Sequence, residues 1–192
     1  MHRRRITIVS GLPRSGTSMM MKMLEAGGME PLTDELREPD RDNPKGYYEF
    51  ERVKQLEHDK GWLPDAEGKV VKIISQLLQH LPADYAYQVI FMRRRMEEIL
   101  ASQERMLMRR GEESKQISDE RLAALFRKHL EHVQAWLERQ PNFEVTYVSY
   151  NRVLEKPRQE ARRIDAFLDE DLDVDAMAEV VDPSLYRQRV EE

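Results

Sequence analysis

Eight consecutive residues, Gly11-Leu12-Pro13-Arg14-Ser15-Gly16-Thr17-Ser18, carry the types and spacing in this sequence best suited to chemistry. Two glycines five apart let backbone N–H groups converge on one point, and Ser15, Thr17 and Ser18 add hydroxyl groups. A helix beginning at the end of such a loop contributes a partial positive charge, so the arrangement suits a phosphate or another oxyanion. The spacing is that of the nucleotide-binding loop G-x-x-x-x-G-K-[ST]. Thr17, however, stands where that motif has its lysine, and without the lysine the clamp on the β- and γ-phosphates of ATP or GTP is incomplete. The cation lies inside the loop instead, at Arg14 directly after Pro13, where a guanidinium can make a bidentate contact to a phosphate or sulfuryl oxygen. The plainer reading is a strand-to-helix turn whose glycines serve geometry alone.

The surrounding sequence predicts the elements that would hold such a loop. A β-branched run at 6–10 reads as a strand, and the loop leads into a helix over 17–26 that Gly27-Gly28 stops. Met19, Met20, Met21 and Met23 on that helix read as packing against a sheet. Further strands are predicted at 70–74, 87–92 and 145–148, and helices at 49–60, 96–110, 118–139 and 153–168. Residues 29–46, with Pro31, Pro39, Pro44 and Gly46, read as a long loop. The acidic stretch after Asp169 carries no clear element. Alternating strands and helices imply α/β architecture around a parallel sheet.

Composition bounds the function. The 192 residues fit one domain over 1–192 with a core that needs no cross-links. With no cysteine there is no disulfide framework, no thiol nucleophile and no Cys-based zinc site, and a reducing cytoplasmic interior is permitted. The net charge of −5 argues against wholesale nucleic-acid binding. No apolar run approaches the roughly 20 residues of a membrane span, and the run after Arg3-Arg4-Arg5 is too short for a signal peptide. His129 and His132 sit three apart on a predicted helix, but with no third ligand in view the sequence predicts no metal site.

The loop resembles the 5′-phosphosulfate loop of sulfotransferases that use 3′-phosphoadenosine 5′-phosphosulfate (PAPS), in which Pro-Lys/Arg-Ser-Gly-Thr-[ST] replaces the lysine loop. The resemblance implies a three-layer α/β/α fold with a central, mostly parallel sheet, like that of P-loop NTPases. It also implies that Pro13, Arg14, Ser15, Gly16, Thr17 and Ser18 hold the donor's phosphosulfate, with Arg14 neutralising charge as the sulfuryl group leaves. The family's second motif is an arginine followed eight residues on by a serine, both on the donor's 3′-phosphate. Arg94 and Ser102 have that separation, with Met96 and Glu98 where the family often has proline and aspartate. Taken without the resemblance, Arg93-Arg94-Arg95 reads as a solvated basic patch.

The resemblance extends more weakly to Lys72, similar to a lysine near the leaving sulfuryl group, and to 145–157. Ile74 stands where cytosolic members carry a histidine base, and the glycine-rich nucleotide loop near the C-terminus is not evident. Asn43-Pro44-Lys45-Gly46-Tyr47-Tyr48-Glu49 is similar to a segment of bacterial members that lies near the substrate. Glu49 is therefore the first candidate for the general base, with Glu38 and His80 behind it; the alternative for Glu49 is that it merely opens a helix. The expected reaction moves a sulfuryl group from PAPS to a hydroxyl or amine of a small-molecule or glycan acceptor, without a metal. Two rivals remain open, a divergent P-loop kinase of a small molecule and a non-catalytic nucleotide-binding protein.

Overall fold

A computed structural model describes residues 5–34, 48–110 and 117–182. Four parallel strands form the sheet: β1 (Arg5–Gly11), β2 (Val70–Lys72), β3 (Ala86–Arg93) and β4 (Phe143–Ser149), in the order β2-β1-β3-β4. Parallel strands covered on both faces are apolar throughout, and β1 and β3 are almost wholly buried between their first and last residues. The register aligns their C-terminal ends, with Val9 opposite Lys72, Gly11 opposite Met92 and Arg93 opposite Ser149. The chain leaves β1 toward β2 on one side and β3 on the other. Such a reversal opens a crevice at the C-terminal edge of the sheet, and the 11–18 loop lies there.

Alternation along the strands builds two cores. Val9, Ile90, Met92 and Val148 face one side, where they meet Met20, Met21, Met23 and Leu24 of α1 (Thr17–Ala26). Ile6, Ile8, Val71, Val89 and Phe91 face the other and meet Trp62, Leu78 and Leu137. Helices α2 (Met96–Arg110), α3 (Asp119–Leu137), α4 (Tyr150–Glu155), α5 (Pro157–Leu168) and α6 (Val174–Glu179) complete the layers. The fold is therefore the expected α/β one, and the methionines of α1 pack as expected.

Three elements differ from the sequence reading. The 49–60 stretch is not an α-helix: it holds a 3₁₀ turn at Glu51–Gln55, and another follows at Leu63–Ala66. Val53 with Leu56, and Leu63 with Ala66, are buried three apart, which is the period of the tighter helix. Asp59 then accepts from the Gly61 N–H at 3.0 Å and turns the chain so that Trp62 is fully buried. The helix read over 153–168 is two helices, because Pro157 pushes Lys156 out of the helical region, to φ −138° and ψ 58°. The strand read over 70–74 ends at Lys72, and a 3₁₀ turn at Ser75–His80 follows.

The acidic stretch after Asp169 contains α6. Asp173 caps it, accepting from Asp175 N and Ala176 N, and its own N–H donates to Gly27 O at the end of α1 at 3.0 Å. Met177 is fully buried in the α1–α5 core. Met177→Ala is expected to lower unfolding free energy by about 2–5 kcal/mol in urea denaturation; unchanged stability would mean that α6 is not docked.

Candidate active site

The loop is shaped by close approach. Gly11 ends β1 at φ +146°, and a Cβ there would lie 2.6 Å from Ser15 Oγ and 2.8 Å from Met92 O. Gly16 has φ +99°, and its Cβ would lie 2.4 Å from the Tyr150 ring. Any side chain at either position collides with a buried group, so both glycines are required by contact as well as by backbone angle. Between them Ser15, 1% exposed, folds back so that its hydroxyl donates to Leu12 O at 2.7 Å and its N–H to the same oxygen at 3.2 Å. Arg14 stands at φ 71°, in the left-handed region. Helix α1 then begins without a side-chain cap and without an acid in its first turn. Its first N–H groups and positive dipole end therefore face the crevice, the requirement for holding an anion.

The Arg94 region meets this loop directly. Arg94, with its side chain 8% exposed, donates through Nε to Glu98 Oε2 at 2.9 Å and through Nη1 to the carbonyl oxygen of Arg14 at 3.1 Å. Its guanidinium carbon lies 4.3 Å from the centroid of the Tyr150 ring. Glu98 is fully buried, and its other oxygen accepts from Asn151 Nδ2 at 3.0 Å. Arg14 Nε donates to Ser102 Oγ at 2.9 Å. Burial raises the Tyr150 hydroxyl above the ordinary phenol range; Arg94 opposes this, Glu98 adds to it and Arg14 opposes it. Tyr150 therefore stays protonated at neutral pH, a hydrogen-bond donor beside two cations.

Of the residues singled out in sequence, Arg14, Ser15, Gly16, Thr17, Ser18, Arg94 and Ser102 come together at the C-terminal edge of β1 and β3. Pro13 is exposed at the tip of the loop. Lys72 joins them from β2, its Nζ 3.5 Å from Ser18 Oγ. Glu49 lies outside any helix, just before the 3₁₀ turn at Glu51–Gln55; its carbonyl accepts from Thr33 Oγ1 at 2.8 Å and from Asp34 N at 3.3 Å. Pro31 bridges Val70, and Leu32 N donates to Val70 O. The 31–34 segment thus runs along the β2 edge and delivers Glu49 to the side of the sheet that carries Lys72. Glu38 and 43–47 lie outside the described residues.

The histidines go elsewhere. His80 ends the Ser75–His80 turn on the way back to the N-terminal edge, where the Tyr87 hydroxyl donates to Pro82 O at 2.9 Å. His129 Nε2 lies 2.9 Å from Ser75 Oγ, and burial, aided by His132, lowers its pKa. Among the described residues no three or more His, Cys, Asp and Glu side chains are grouped to hold a metal. Tyr150 and Asn151 were not read from the sequence as members of the site, and Glu98 was noted only as standing where the family's second motif often has aspartate. The signal for Tyr150 and Asn151 was the change of strand to helix at Tyr150.

A sulfotransferase-domain family model matches residues 4–188. The chain belongs to the sulfotransferase family. It is an enzyme of sulfuryl transfer. A search of curated proteins finds no match. Among solved structures it is similar to sulfotransferase STF1 from Mycobacterium tuberculosis H37Rv (TM-score 0.62, 20% identity, covering 93% of this chain and 71% of that one). It is also similar to mouse sulfotransferase SULT7A1 complexed with PAP (0.54, 16%, 93% and 63%). A third is retinol dehydratase in complex with androsterone and the inactive cofactor PAP (0.53, 18%, 96% and 64%). At these identities the likeness is one of fold, and the chain spans about two thirds of those proteins' length. Among the described residues no helix is long and apolar enough to cross a membrane.

The Arg94–Glu98 pair supplies a stability test. Removing one member of a buried ion pair leaves the other charge uncompensated. Glu98→Ala is expected to cost about 3–5 kcal/mol in chemical denaturation. A loss below 1 kcal/mol would mean that water already reaches Arg94.

Proposed function

We propose that the chain transfers a sulfuryl group from PAPS to a hydroxyl or amine of a small-molecule acceptor, in the cytoplasm. The observation that carries this reading is the junction of two cationic motifs distant in sequence, Arg14 bonded to Ser102 and Arg94 bonded to the Arg14 carbonyl. A donor with a phosphosulfate at one end and a 3′-phosphate at the other calls for two such anion sites side by side. The residues present fit it: a glycine-shaped cradle of N–H groups, two arginines and a lysine, and hydroxyls at Thr17, Ser18 and Ser102. The proteins of known structure that bind PAP and share this fold lend support.

In this reading the donor supplies an activated sulfuryl group whose leaving oxygen is already phosphate-borne. The N–H groups at the start of α1, with Thr17 and Ser18, hold the phosphosulfate oxygens, while Ser15 fixes the loop from within. Arg94 and Ser102 hold the 3′-phosphate. Arg14 and Lys72 neutralise the negative charge that grows on the leaving oxygen, the electrostatic contribution that dominates such transfers. Glu49, on the Lys72 side, takes the proton from the acceptor as its oxygen or nitrogen bonds to sulfur.

Two measurements test the assignment. Thermal-shift titration with 3′,5′-bisphosphoadenosine is expected to stabilise the protein by about 2.7 kcal/mol at a hundredfold excess over Kd. Arg94→Ala should abolish the shift. Stabilisation by ATP-Mg²⁺ and not by the bisphosphate would replace this reading with the kinase one. Separately, Glu49→Gln is expected to lower turnover by about 10²–10⁴-fold with bisphosphate affinity unchanged; full turnover would remove Glu49 as the base.

A further inference from the structure

On the α3 side of the sheet, beside the loop, lies an open cavity of about 320 Å³. Leu12 and Ser15 of the loop form one wall, so whatever fills the cavity abuts the phosphosulfate site. Its floor is apolar and partly aromatic, made by Phe91, Met92, Ile99, Leu130 and Tyr147. Its rim carries Arg93, Arg127, Glu131 and Gln134, the last three on one stripe of α3 with Leu130. From these features, and resting on the donor assignment above, we infer that the acceptor is a small molecule with an apolar or aromatic body and one anionic group, a carboxylate or phosphate. The body fills the cavity and the anion meets Arg93 and Arg127.

Charge decides the sign. Arg94 also borders the cavity, but it is paired with Glu98 and assigned above to the donor's 3′-phosphate, so it is not counted toward the acceptor. Arg93 and Arg127 against Glu131 leave the rim with one excess positive charge, in a chain whose net charge is −5. A local excess of that sign in an acidic protein attracts an anion to that place. Arg93 is also held ready: Nη2 donates to Gln134 Oε1 at 2.8 Å, and the guanidinium carbon stands 3.9 Å from the Tyr147 ring centroid. That leaves other N–H donors of a fixed fork available, with little side-chain freedom left to lose on binding. Arg127 forms no ion pair with a described residue. Size sets the other limit, since small-molecule pockets run from about 300 to 1,000 Å³. One aryl ring or one sugar unit enters, so a longer glycan would present only its terminal unit.

The test uses three phenols of similar size and different charge, 4-hydroxyphenylacetate, 4-ethylphenol and tyramine, titrated calorimetrically into protein saturated with 3′,5′-bisphosphoadenosine. The anionic phenol is expected to bind at least tenfold more tightly than the neutral and cationic ones. Arg127→Glu should cost it at least tenfold in affinity and leave the Kd of the bisphosphate within twofold. Equal or better binding of the neutral or cationic phenol overturns the inference, and so does failure of all three to bind. Should Arg127→Glu weaken the bisphosphate instead, the cavity belongs to the donor's nucleoside; the acceptor assignment then fails while the donor reading stands. If the wild-type protein does not bind the bisphosphate, the donor reading fails. The same titration on the free protein then still decides the charge preference of the cavity.

Discussion

A guanidinium taken out of water must be neutralised and its N–H groups given acceptors, and burial of Arg94 imposes that condition on three parts of the chain at once. Its charge is met by Glu98, one turn on in α2; its face is covered by Tyr150 at the start of α4; one of its N–H groups goes to the carbonyl of Arg14. Glu98 in turn is completed by Asn151. The loop after β1, the helix after β3 and the helix after β4 are therefore fixed to one another by a single buried charge. Lone buried ion pairs add little net stability compared with apolar packing. What this one contributes is specificity of position: α2, α4 and the loop have one mutual arrangement in which every polar group of the cluster is satisfied.

The parallel sheet makes that cluster possible. With β1 between β2 and β3, the ends of β1, β3 and β4 deliver their following segments to the same edge. Gly11, Arg93 and Ser149 close their strands within one register of each other, so residues 11–18, 94–102 and 150–151 converge although as many as 140 positions separate the first from the last. Lys72 arrives by the same logic from β2. The proposed anion site is thus a property of strand order, and its cations, Arg14, Lys72 and Arg94, come from three different segments.

Legibility in sequence followed this division. Apolar runs of a covered parallel sheet and glycines at tight turns announce themselves locally, which is why β1, α1 and the loop were readable to within a residue. The 3₁₀ turns were not, because Val53 and Leu56 satisfy helical spacing as well as a period of three, and only burial of Trp62 decides between them. Helix α6 was hidden by composition: its acids cap it or pair on the surface with Arg158, while Met177 is its one fully buried residue, with Val174 packed against the same core. Arg94 and Ser102 were found only through family likeness, since Arg93-Arg94-Arg95 gives no local sign of which arginine is buried. Asn151 and Tyr150 were missed because their roles exist only in contact with Glu98 and Arg94 across about 50 residues of chain.

The backbone of Arg14 shows what the cluster holds in place. A non-glycine residue in the left-handed region costs of order 1–3 kcal/mol and persists only where its surroundings determine it. Here they do: glycines stand at both ends of the loop, Ser15 bonds back to Leu12, and Arg94 takes the Arg14 carbonyl. A relaxed, extended Arg14 would carry its carbonyl away from Arg94 and leave a buried donor unpaired, at roughly 1–3 kcal/mol. The two costs are of the same order, so the strained conformation is held by the buried cation rather than by the loop alone. In that conformation the Arg14 side chain reaches Ser102, spanning the phosphosulfate and 3′-phosphate halves of the proposed site. One side chain then links both halves of the proposed site, and the left-handed backbone of Arg14 is what carries it there.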